Sequence, residues 1–212
     1  MFQLKPLEES FFRIIHNRMP KFSALILCEG KSDAEIIKAV ARKQDIELIN
    51  VAITDCGGVE NIPEIASAIA SLARLSRRLE LLATVIDLDD KTCSERFQSL
   101  VNSLNARDTQ VKNVKEVERN IYNARLEASR ELDFKAVFVG VEELPTKKHE
   151  IEDHMLKLQM LEGKISKDDV RVSRAKELVR SEETLKIIEE ASKENVEEAF
   201  KPIVRLLRLL GT

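Results

Sequence analysis

Two uninterrupted apolar runs, each ending on an acidic residue, constrain this chain more than any other feature. Ala24-Leu25-Ile26-Leu27-Cys28 runs into Glu29, and Leu81 to Ile86 runs into Asp87. A strand that is apolar at every position is buried on both faces, as in a parallel sheet held between helix layers. The segments between the runs carry helical periodicity. From Ser32, a candidate N-cap, Ile36, Ile37, Val40 and Ala41 recur along one face, and Ile62, Ile65, Ala66, Ile69 and Ala73 do so later. Leu48 to Thr54 and Phe134 to Val141 read as two further strands.

The remainder reads as helix. Residues 94–132 give two helices, one on Phe97, Leu100, Val101 and Leu104 and one on Val114, Val117, Ile121 and Leu126, with a break near Asn105 to Thr109. Residues 1–21, with Leu7, Phe11, Ile14 and Ile15 on one side and a stop at Pro20, read as a short docking helix. From His149 onward the chain reads as helical, and its last helix sets Val196, Ala199, Phe200, Ile203, Leu207 and Leu210 on one face. The expected fold is α/β: a mostly parallel four-stranded sheet flanked by helices over residues 22–145, followed by a helical extension over residues 146–212.

Composition narrows the class. At 212 residues there is room for one core and an appendage, and 43% hydrophobic with 33% charged residues describes a globular chain. Its 34 basic and 37 acidic side chains leave a net charge of -3, which argues against a nonspecific nucleic-acid coat. Cys28, Cys56 and Cys93 form no C-x-x-C pair and read as reduced, mostly buried thiols. No apolar stretch approaches the roughly 20 residues that span a bilayer, and a cytoplasmic location is expected.

In an open parallel sheet, ligands bind beyond the carboxyl ends of the strands. Glu29, Asp87 and Asp89 each end an expected strand, so the fold brings them to one rim. Carboxylates gathered there repel one another unless a cation neutralises them, and a hard divalent ion with oxygen ligands suits them. Asp87 and Asp89, two apart on a strand, are expected to project to the same side. Gly57 and Gly58, after the second strand, serve either a turn or a close approach of backbone to phosphate.

The strand ending in Glu29-Gly30-Lys31-Ser32-Asp33, the Gly57-Gly58 turn and the strand ending in Asp87-Leu88-Asp89 resemble, in order and spacing, the Toprim domain. That domain is shared by topoisomerases, bacterial-type primases, overcoming-lysogenization-defect nucleases and recombination mediators, and the resemblance covers residues 22–145. It implies that Glu29 acts as general acid or base or as a metal-proximal carboxylate, that Asp87 and Asp89 hold Mg2+ or Mn2+, and that Asp33 orients the site. Family members often carry a glycine soon after the paired aspartates, where this chain has Asp90-Lys91-Thr92-Cys93. Glu152 and Asp153 resemble the acidic segment that follows the sheet in small stand-alone members and would supply a second metal element.

The resemblance implies a metal-dependent nuclease or nickase acting on DNA or RNA. Lys31, Lys91, Lys147 and Lys148 with Gly57 and Gly58 would steady the nucleic acid. The alternatives are a nonenzymatic nucleic-acid-binding or complex-adaptor protein, as among recombination mediators, and primase-like nucleotidyl transfer.

Each residue also has a plainer explanation. Glu29 could pair with a neighbouring base, and helix capping accounts for one of the two aspartates. Glu152 and Asp153 sit where first-turn acids meet a helix dipole. Lys147, Lys148 and His149 with Arg74, Arg77 and Arg78, and the cluster Arg171, Arg174, Lys176 and Arg180, read either as a basic rim or as solvated faces. His16, His149 and His154 read as surface histidines, and Tyr122 as a poor candidate for a strand-cleaving nucleophile. The final helix suits core packing, a homodimer or a protein partner better than a membrane.

Overall fold

The computed structural model describes residues 1–3, 22–75, 78–170 and 181–211, and the side chains of residues 2–3 and 181–184 are not among those described. Residues 4–21, 76–77 and 171–180 lie outside it, and with them the expected N-terminal helix, His16, Arg77 and the Arg171 to Arg180 cluster.

The chain is α/β, with a mixed sheet flanked by helices. Its strands are β1 (Phe2–Gln3), β2 (Ala24–Cys28), β3 (Val51–Asp55), β4 (Leu81–Asp87), β5 (Gln110–Glu118), β6 (Ile121–Glu127) and β7 (Glu131–Val139). They lie in the order β1-β3-β2-β4-β7-β6-β5. The two-residue β1 is an edge fragment beside six full strands. From β1 to β7 neighbouring strands are parallel, whereas β7, β6 and β5 pair antiparallel.

Helices make the parallel crossovers: α1 (Lys31–Lys43) follows β2, α2 (Ile62–Leu72) follows β3, and α3 (Cys93–Asn105) follows β4. Because strand side chains alternate, the solid apolar runs feed two cores. Ala24, Ile26 and Cys28 join α1 and the C-terminal helices on one face, while Leu25 and Leu27 join α2 and α3 on the other.

The expected four-stranded sheet is corrected by a hairpin. Where a second helix was expected in residues 94–132, β5 and β6 pair around a turn at Arg119-Asn120. Val111, Val114 and Val117 recur at helical spacing, but β5 is an edge strand, exposed from Lys112 to Val117 and irregular in register. Its sequence is therefore not written by burial. The strand signal lies in β6, where Tyr122, Ala124 and Leu126 alternate into the core, and in Asn120, whose φ of 70° suits a hairpin turn. Tyr122 stacks on Phe97 at 4.1 Å and meets Phe138 edge-on, and burial first of all pushes its hydroxyl up to about 12.

After β7 come α4 (Ile151–Leu161), α5 (Lys167–Val170), α6 (Ser181–Glu190), α7 (Lys193–Ala199) and α8 (Lys201–Leu210). The single last helix expected from Val196 to Leu210 is thus two. Phe200 leaves helical geometry at φ -105°, and Pro202, which has no N–H to donate, opens α8. Val196, Ala199, Phe200, Ile203 and Leu207 are buried in the same core as the sheet, so this apolar face is covered within the chain. No helix among the described residues is long and apolar enough to cross a membrane.

Candidate functional site

Three parallel strands end side by side and deliver the acidic residues to one rim. In register, Cys28 lies beside Asp55 on one neighbour and Val85 on the other, so Glu29 emerges between the ends of β3 and β4. The Glu29 side chain turns back over β4, and its Oε1 accepts a hydrogen bond from the Asp87 amide N–H at 2.8 Å. Asp87 in turn accepts, through Oδ1, the amide N–H of Ile151 at 2.9 Å. That N–H belongs to the first residue of α4, whose positive dipole end suits an anion.

The charges are strongly coupled. Burial, with Asp33 and Asp89 adding repulsion, pushes Glu29 from its ordinary range up to about 7, although the Asp87 N–H and Arg96 pull the other way. Burial again comes first for Asp87, and with Glu29, Asp33 and Glu152 nearby it is pushed up to about 9 against the Ile151 hydrogen bond. Asp33, 8% exposed on the first turn of α1, receives the Gly30 N–H at 2.8 Å, so the helix begins from Gly30 rather than Ser32. Glu29, Asp33, Asp87 and Glu152 therefore share one electrostatic neighbourhood, as five carboxylates do once Asp89 is counted.

Asp89 departs from the expected geometry. β4 ends at Asp87, Leu88 turns fully into the core, and Asp89 adopts φ 55°, so two-residue alternation no longer applies. Its carboxylate forms an ion pair with Arg96, whose Nε donates to the Asp87 carbonyl at 2.8 Å, and Lys148 approaches its other oxygen at 3.4 Å. Its backbone pairs with His149 in both directions, at 2.9 and 2.7 Å.

Asp153 belongs elsewhere. Fully buried, it accepts from Val141 N–H and Thr146 Oγ1, each at 3.2 Å, and meets His149 Nδ1 at 2.9 Å, tying the loop after β7 to α4. Among the described residues no three His, Cys, Asp or Glu side chains stand as a ready-made ion cage. The donors at the rim are all oxygens, a set suited to a hard cation.

The glycines and lysines fall as follows. Gly57 and Gly58 have φ of 70° and 135°, and the Gly58 N–H donates to the Glu29 carbonyl at 3.0 Å, so this turn is pinned against the acidic strand end. Lys31, Lys147 and Lys148 are exposed and Lys91 is half-buried. The Lys148 ammonium group approaches a rim carboxylate, Asp89 Oδ1, at 3.4 Å. Arg74 lies at the opposite end of the sheet, its N–H against Ser129 in the β6–β7 turn, so no basic rim joins it to Lys147 and Lys148.

His154 is not at the surface but 3% exposed. Gly140 N–H donates to its Nε2 and Nδ1 faces the Ala199 carbonyl, and burial lowers it to about 4, so it packs as a neutral core imidazole. A separate cleft of about 470 Å³ near α4 and α8 carries Arg119, Lys157 and Arg205, but Glu142, Glu198 and Glu118 pair with them.

Sequence reasoning missed Arg96 and Gly140. Arg96 follows the N-cap Thr92 by four residues, which sets it one turn into α3 and facing back toward the strand end. Its signal was the capping pattern Thr92-x-x-Glu95, where Thr92 Oγ1 accepts the Glu95 N–H at 3.3 Å and Glu95 accepts the Thr92 N–H at 2.9 Å. Thr92→Ala is expected to cost about 1 kcal/mol, read as a lower urea midpoint with unchanged slope. Gly140 shows φ 136° just after β7, where the chain passes His149, a close approach invisible before strand and loop are assembled.

No curated protein and no solved structure matches this chain. A family model matches residues 23–201, which takes in the full strands, the acidic rim and most of the C-terminal helices, and the chain thus belongs to the family described as Protein of unknown function (DUF3226).

Proposed function

We propose that this chain is a Toprim-like, divalent-metal-dependent phosphodiester enzyme acting on nucleic acid, as a nuclease or nickase. The observation that carries the reading is the Glu29–Asp87 pair, in which the Glu29 carboxylate rests on the Asp87 backbone N–H while burial raises both, with neighbouring carboxylates adding to it, Glu29 among them for Asp87. A pair of acids held in this way is a poor structural device and a good cation site.

Glu29 and Asp87 would hold Mg2+ or Mn2+, and Glu152 brings further negative charge from α4. Such an ion, when bound, supplies charge neutralisation at phosphate and an acidified water. Burial raises Glu29 to about 7, so it can hold a proton near neutral pH and would release it on taking up the ion. Lys31, Lys91, Lys147 and Lys148 offer cations to a phosphate backbone.

The second reading, a nonenzymatic nucleic-acid-binding or adaptor protein, is favoured by one feature: Asp89 is already neutralised by Arg96 and Lys148. A panel of single- and double-stranded DNA and RNA, incubated with Mg2+, Mn2+ or chelator, separates the two. The enzyme reading expects cleavage that needs the ion and is lost in Glu29→Ala. Binding that persists in chelator, with no cleavage of any substrate, would establish the adaptor.

A further inference from the structure

We infer that Asp89 is an anchor and not an ion ligand, fixed by Arg96 on its inner side and fixing Lys148 on its outer side. The inference deepens the functional reading above and rests on it for the identity of the ion.

The Arg96 side chain is 10% exposed, and a guanidinium so nearly buried must keep a counter-charge. Asp89 supplies it, and Arg96 Nε spends its proton on the Asp87 carbonyl. The other Asp89 oxygen faces Lys148, whose side chain is 64% exposed and can reach an incoming phosphate. The Asp89 backbone is held on both sides by His149 and lies at φ 55°, so the carboxylate cannot follow Asp87 without breaking the bridge.

Turning Asp89 onto a divalent ion would strand the Arg96 charge beside that ion, and the two cations would repel across a partly buried site. Arg96 is thus a positioning residue: it holds Asp89 off the ion, and Asp89 presents Lys148 at the rim.

The test is Mn2+ affinity by calorimetry on the full chain, for the native protein, Asp89→Asn, Arg96→Gln and the double variant. Asparagine tolerates the left-handed backbone at position 89, and glutamine can still donate to the Asp87 carbonyl. As an anchor, Asp89→Asn leaves Arg96 uncompensated and weakens the ion about tenfold or more, a loss typical of groups just behind a metal site. Adding Arg96→Gln removes the stranded charge and restores affinity to within about threefold of native.

If Asp89 were a ligand, the double variant would still lack it and would stay about tenfold or more below native affinity, and that result overturns the inference. Melting temperatures of the same four proteins in chelator give an ion-independent check. Coupled losses support the anchor, whereas strictly additive losses refute it. A native protein that binds no Mn2+ ends the functional reading, and the melting cycle then decides the Arg96–Asp89 tie separately.

Discussion

Asp87→Asn is expected to stabilise the metal-free protein at pH 8 while abolishing every effect of Mg2+ or Mn2+. The reason is linkage. Asp87 and Glu29 are carboxyls whose folded-state values, about 9 and about 7, lie above their ordinary 3.8 and 4.5. The folded protein therefore holds protons that the unfolded chain has already released. The stabilisation from this pair is fully present below about pH 4 and is lost as pH rises toward 9.

Each extra proton held by the folded state costs about 1.4 kcal/mol per pH unit across that window. For a chain of this size, about 4 °C or more of melting temperature should disappear between pH 6 and pH 8 in chelator. Asparagine keeps an oxygen for the Ile151 N–H but carries no charge, so the substituted protein should melt about 4 °C higher than native at pH 8 and show a flatter pH profile. Added Mn2+ should raise the native melting temperature and leave the variant's unchanged. On the proposed function, cleavage should also fall by about 1000-fold, the order seen when a group that stabilises transition-state charge is removed. Equal melting of the two proteins at pH 8, with equal response to Mn2+, would show that Asp87 bears neither strain nor ion.

Gly140→Ala is the second large effect, and it acts on shape rather than charge. A Cβ at this position would lie 2.6 Å from the His149 Cβ and 2.8 Å from its carbonyl oxygen, at a φ of 136° that side chains rarely adopt. That carbonyl accepts the Asp89 N–H at 2.9 Å, so relief of the clash pushes His149 away and opens the bridge. The Gly140 N–H also donates to the buried His154, and neither contact can be traded for solvent.

The expected cost is about 3 to 5 kcal/mol, a fall of about 10 °C in melting temperature. Gly163→Ala is the matched control, because Gly163 also has positive φ, at 69°, but has nothing within 4 Å of an added Cβ. It should cost only about 1 kcal/mol. Equal losses at the two glycines, measured by urea denaturation, would mean that the close approach at Gly140 carries no special weight.

The acidic rim was legible because it rests on a rule of topology. Once Ala24–Cys28 and Leu81–Ile86 are seen as strands buried on both faces, parallel order follows, and Glu29 and Asp87 must leave the sheet at the same end. The contact of Glu29 with the Asp87 backbone is the detailed form of that expectation. The expected projection of Asp89 to the same side as Asp87 fails, because alternation was carried two residues beyond the end of the strand. Asp153 and His154 look in sequence like exposed first-turn residues of a helix, yet α4 packs that turn into the core and gives both of them buried partners.

The hairpin was lost for a related reason. Burial writes period into a sequence, and β5 is exposed on both faces, so its valines keep no alternation for a reader to find. What the sequence alone determined was the α/β class, four of the strands and the end of the sheet at which the acids gather, since each of these follows from which residues must avoid water. What tertiary structure decided was where each carboxylate turns: Asp87 to the start of α4, Asp89 to Arg96 and Lys148, Asp153 to the loop after β7. Ile151 and Lys148 lie 64 and 59 residues from the carboxylates they meet, and even the nearby Arg96 reaches Asp89 only once α3 has packed against the end of β4.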